Sequence, residues 1–113
     1  MEKRIEAMRN MFYNFPENEM RYYVQVSIQR ALLGRITCSL RGVTCEWSRS
    51  KIKVHFIYDG LIESDFEYLL EEAATHVMAD FPVLDVNYQI LRIDYPESLD
   101  SHALKVWIYR RRE

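Results

Sequence analysis

The side chains of this chain best able to hold a metal ion are three histidines and two cysteines, and their spacing argues against a site. His55, His76 and His102 fall in segments that read as strand, helix and loop, and no two stand at the close separation of a helical metal site. Cys45 and His55 could face each other across a hairpin, which would supply two ligands without a third. A second set, Asp59, Glu63 and Asp65, clusters after a strand-like run, where carboxylates could hold a divalent ion or act as acid and base. A small metal-assisted hydrolase using Asp59 and His55 is therefore one alternative. Helix starts attract acids for dipole reasons alone, however, and that explains these carboxylates without catalysis. The chain has no Gly-rich phosphate loop, and its serines and cysteines lack a nucleophile setting. The expectation is a protein that is not an enzyme and uses no cofactor or metal.

The elements that would position these groups follow from periodicity. Residues 1–13 predict a short helix, with Ile5, Met8, Phe12 and the neighbouring Phe15 on one side before Pro16 interrupts it. From Glu17, residues Met20, Tyr23, Val24, Ser27, Ile28 and Ala31 recur at three and four, and Gly34 sits where a left-handed cap would end a helix over 17–33. The period then becomes two. Val43, Cys45 and Trp47, then Ile52, Val54, Phe56 and Tyr58, alternate with a charged or mixed face that includes Ile57, as an antiparallel hairpin turning at Ser48-Arg49-Ser50. Ser64 and Glu67 have the spacing of a capping box, and Phe66, Leu69, Leu70, Ala73 and Val77 make the stripe of a helix that Pro82 stops. Residues 84–90 and 104–109 read as two further strands, with Leu91 and Ile93 suggesting a bulge or burial on both faces.

The order predicts a single α+β domain over residues 1–113, a two-layer sandwich whose four-stranded antiparallel or mixed sheet carries its helices on one face. Cys38 and Cys45 read as reduced packing residues rather than a bridge. Met1 to Glu6 alternates charged and apolar residues unlike a signal peptide, and no segment reaches transmembrane length, so a cytoplasmic protein without membrane contact is expected.

Charge is distributed unevenly along the chain. Residues 1–58 carry ten Lys/Arg against five Asp/Glu, whereas residues 59–100 carry eleven acids and one base, Arg92. A net charge of −2 thus conceals a polarised molecule suited to a basic partner. Arg30, Arg35, Arg41, Arg49, Lys51 and Lys53, with Tyr22, Tyr23 and Trp47, give local support for nucleic-acid binding, but the acidic segment would repel a phosphate backbone. Pairing of the basic half of one copy with the acidic half of another makes a self-associating homo-oligomer a further alternative.

Arg30-Ala31-Leu32-Leu33-Gly34, Phe56-Ile57-Tyr58-Asp59-Gly60, Asp80-Phe81-Pro82 and Arg92-Ile93-Asp94-Tyr95-Pro96 resemble, in layout and texture, small bacterial immunity proteins that accompany polymorphic or contact-dependent inhibition toxins. The likeness spans approximately residues 30–112. It implies a non-enzymatic inhibitor that binds a cognate toxin domain in the producing cell's cytoplasm and blocks its active site or a nearby surface. Charge and resemblance agree on a basic toxin, such as a nuclease, as the protein partner. The expected contact surface draws on Asp59, Glu63, Glu67, Glu71, Asp94, Tyr95 and Glu97.

Overall fold

A computed structural model describes residues 17–113; the helix expected over residues 1–13 lies outside them. Helix α1 (Glu17–Leu32) buries Met20, Val24, Ile28 and Ala31, which spacings of three and four align in one stripe. Tyr23, expected on that stripe, stands beside it, exposed and edge-to-face with Tyr22. Gly34, at φ 75°, ends the helix, and the Leu33 and Arg35 amides donate to the carbonyls of Arg30 and Leu32. That left-handed conformation would strain any residue with a Cβ.

Strands β1 (Leu40–Trp47) and β2 (Lys51–Tyr58) form the antiparallel hairpin, closed by the Ser48 amide donating to the Lys51 carbonyl at 2.9 Å. Helix α2 (Ser64–Asp80) then carries the chain to β3 (Asp85–Arg92), which runs parallel to β2, and β4 (Val106–Arg110) returns antiparallel to β1. The sheet is mixed, with strand order β3-β2-β1-β4. Both helices pack on one face of it, where Val43, Cys45, Ile52, Val54, Phe56 and Tyr58 meet the apolar stripes of α1 and α2 in the main core. The expected order of elements and two-layer architecture are those observed.

One local expectation needs correction, and in another the structure chooses between the alternatives. Ser64 does not cap α2: Glu63 holds the N-cap position and makes no side-chain cap bond. Its carbonyl already accepts the Phe66 and Glu67 amides, each at 3.0 Å, so Ser64 lies within the first turn and the Ser64/Glu67 box cannot form. In β3, the register with β2 is unbroken, so the apolar parity change marks burial on both faces rather than a bulge. Leu91 and Ile93 join Ile57, Leu99 and Trp107 in a second, smaller cluster. The β3–β4 connection thus covers one end of the sheet's other face. Gly42 permits this: a Cβ there would stand 2.8 Å from Trp107 Cζ3.

Candidate partner-binding surface

Because β2 and β3 are parallel, the loops that follow them leave the same end of the sheet side by side. Gly60, at φ 81°, turns the first loop. The two loops hold each other reciprocally: the Tyr95 amide donates to Asp59 Oδ1 at 3.1 Å, and the Gly60 amide donates to Asp94 Oδ1 at 2.7 Å. Arginines from three strand ends reinforce the junction. Arg92 makes a two-pronged contact with Asp94 at 3.0 and 3.1 Å. Arg111 reaches Asp59 at 3.0 Å, Glu113 at 2.8 Å and the Cys38 carbonyl at 2.8 Å. Arg41, whose side chain is only 3% exposed, grips Glu113 at 2.7 and 2.9 Å and the Ile93 carbonyl at 2.7 Å.

The titration of these groups follows from the pairing. The Arg41 hydrogen bond holds the Glu113 carboxyl at about 2, below its ordinary 4.5. Arg111 lowers Asp59, and Arg92 lowers Asp94. Both aspartates are therefore ionised and internally paired, and they fix the loops rather than standing open as acceptors. Arg41 also lies 5.7 Å from the centroid of the Tyr95 ring, supporting it from beneath while leaving the residue 56% exposed.

The other carboxylates expected at the surface are differently placed. Glu63, Glu67 and Glu71 project from α2 and Glu97 from the β3–β4 loop, all exposed and without an ion pair among the described residues. On the opposite flank of α2, Glu72 meets Arg35 at 3.4 Å, and Asp80 accepts the Ser27 hydroxyl at 2.7 Å. Leu61 and Tyr68, 80% and 61% exposed, add apolar area to this acidic end. Leu61 was absent from the sequence expectation; its one signal is an apolar residue in an acidic turn with no periodic partner. Arg111 and Glu113 are also missing from that expectation, and Arg41 enters only among the bases weighed for nucleic acid, because the Arg41–Glu113 and Arg111–Asp59 contacts join residues more than fifty positions apart.

The ligands weighed for metal chemistry are held apart. Cys45 pairs in register with Val54 and is buried on the helix side, where desolvation pushes its thiol up to about 12. His55 pairs with Thr44, so its ring lies on the opposite face, 3.1 Å from the His102 carbonyl. The two cannot share an ion. Asp59 follows His55 by four residues of extended chain, on the order of 13 Å, and is engaged by Arg111. No group of three or more ligating side chains occurs among the described residues.

The bases weighed for nucleic acid also disperse, since Arg41 is enclosed by its partners and Arg35 is paired. Lys51, Lys53 and Lys105 flank Asn87, Gln89 and Glu46 in an open groove of ≈ 620 Å³ toward the hairpin end of the sheet. No described helix is long and apolar enough to cross a membrane. The family model of the MafI2 immunity protein matches residues 21–113, from α1 through the Glu113 carboxylate that closes the arginine cluster. On that match, which covers most of α1, all of α2 and all four strands of the sheet, the chain belongs to the MafI2 immunity protein family, which implies a toxin protein as its partner.

Proposed function

We propose that this chain neutralises its toxin in the bacterial cytoplasm by direct, non-enzymatic binding through the acidic end of the sandwich, and that the toxin presents a basic, nucleic-acid-processing surface. Within this surface Glu63, Glu67, Glu71 and Glu97 attract and align the partner, Tyr95 supplies an aromatic anchor, and Asp59 and Asp94 hold the loops in place. The observation that carries the reading is the reciprocal bonding of the Asp59-Gly60 and Asp94-Tyr95 loops, which leaves Tyr95 and the neighbouring glutamates available on a braced platform. A surface ordered before contact loses little conformational freedom on binding, and its exposed carboxylates steer a cationic partner during approach.

The test is the association rate of the purified chain with the toxin domain across a salt series, alongside the residual toxin activity. An inhibitor of this kind associates more slowly as ionic strength rises and abolishes activity at equal stoichiometry. A rate indifferent to salt would remove the steering role of the glutamates. Full toxin activity in the presence of bound chain would remove direct inhibition.

A further inference from the structure

The two edges of the sheet differ in how they are guarded against pairing. β4 is five residues long, shifts register against β1 between Val43 and Thr44, and ends at Arg110, whose guanidinium lies 4.7 Å from the Trp107 ring centroid. Short length, irregular register and terminal cations all deter strand addition. β3 is longer and regular, and its one terminal cation, Arg92, is engaged by Asp94. Its eight residues pair with β2 in continuous parallel register, contain no Pro, Gly or Lys, and carry charge only at Asp85 and Arg92. Among the described residues, its other edge hydrogen-bonds to no strand.

Helix α2 packs over this strand. The bonds that Glu72 accepts from Arg35 and Asp80 accepts from the Ser27 hydroxyl define the flank that faces α1. At 3.6 residues per turn, Glu67, Glu71 and Met78 fall on the opposite flank, above the β3 edge. The outer edge of β3, which pairs with no strand among the described residues, thus runs with half-buried Tyr88 and Ile90 beside a row of exposed carboxylates and Met78.

We infer that the free edge of β3 receives an extended segment of the toxin, added as a fifth strand, in which alternate side chains are basic. Main-chain bonds to β3 would supply affinity without regard to sequence, and the side chains of one parity would decide the match. Those on the helix side meet Glu67 and Glu71, which suits Lys or Arg because their aliphatic stems can lie over Tyr88 and Ile90 while the charge reaches the carboxylates. Those of the other parity lie beside Asn87 and Gln89. The inference rests on the proposed toxin-binding role and extends the acidic surface along α2.

A short capped peptide alternating Lys and Val is the probe, titrated into the isotope-labelled full chain and followed by NMR. The expected result is displacement of resonances along Asp85–Arg92 and slower exchange of their outward amides. A peptide alternating Glu and Val should leave both unchanged. The Glu67→Gln, Glu71→Gln double variant should bind the Lys peptide about fivefold more weakly at low salt, two exposed ion pairs having been removed. Of two Lys peptides N-methylated on alternate residues, the one that loses its donors toward β3 should lose binding while the other keeps it.

Equal behaviour of the methylated peptides, or shifts confined to the outer face of α2, would reduce the interaction to charge adhesion and overturn strand addition. Concentration-dependent protection of β3 in the free chain would assign the edge to a second copy instead. The peptide test requires no toxin, so its failure is separable from failure of the salt-dependent association described above.

Discussion

At the hairpin end of the sheet, Lys51, Lys53 and Lys105 stand without an ion pair among the described residues, around a groove lined also by Asn87 and Gln89. At the other end, Arg41, Arg92 and Arg111 are each bound to a carboxylate, and most of their donors are consumed in fixing chain segments to one another. The same residue classes therefore do different work. Isolated surface lysines contribute solubility and a diffuse field, whereas forked guanidiniums in a shared cluster impose geometry on loops. What leaves the acidic end chemically open is the set of glutamates that the arginines do not reach.

Breaking the arginine cluster should have the largest effect. Arg41→Ala leaves Glu113 short of its principal partner and the Ile93 carbonyl without its bond, and should cost about 3 kcal/mol of stability as read by urea unfolding. Lys53→Ala, at the exposed end, should change stability by no more than about 0.5 kcal/mol. Comparable losses at the two sites would erase the distinction between them.

The cluster also sets the response to acid. Glu113 has a folded-state value of about 2 against an ordinary 4.5, so its stabilisation is fully present above roughly 4.5 and is lost as pH falls toward 2. Thermal melts over that interval should show the stability difference between the native chain and Glu113→Gln shrinking as pH falls. A difference that grows on acidification would contradict the pairing.

The comparison sharpens when charge is removed from each end in turn. Combined Glu63→Gln, Glu67→Gln and Glu97→Gln should slow association with the toxin domain by about tenfold at low salt and by much less at high salt. Combined Lys51→Gln, Lys53→Gln and Lys105→Gln should leave that rate unchanged or raise it, as measured by stopped flow. If the lysine variant were the slower of the two, the binding surface would belong at the groove. A modest effect is expected at Gly60, where φ 81° disfavours a side chain although the space is open. Gly60→Ala should cost about 1 kcal/mol by urea unfolding and weaken toxin binding through the displaced loop.

Much of the fold was legible because short-range periodicity encodes it. The stripe Met20, Val24, Ile28 and Ala31 marks one helix, and alternation along β1 and β2 marks the hairpin. Facing relations were not legible at the same level. Cys45 and His55 looked like neighbours across the turn, yet a pairing of Cys45 with Val54 instead of His55 sends the two side chains to opposite faces. The Ser64 box is likewise absent, since the N-cap falls one residue earlier, at Glu63, whose carbonyl accepts the Phe66 and Glu67 amides.

The carboxylates of the acidic stretch divide along the same line. Sequence alone fixed how many there are, which of them lie on a helix, and that arginines dominate the chain's end, because composition and period are properties of neighbours along the chain. Only the tertiary structure decided that Asp59 and Asp94 are consumed by Arg111 and Arg92 while Glu63, Glu67, Glu71 and Glu97 remain exposed and outside any ion pair among the described residues. Ion pairing depends on separations of a few ångströms, and it is the parallel β2–β3 crossover and the return of β4 beside β1 that bring Arg111 to Asp59 across fifty-two positions of sequence.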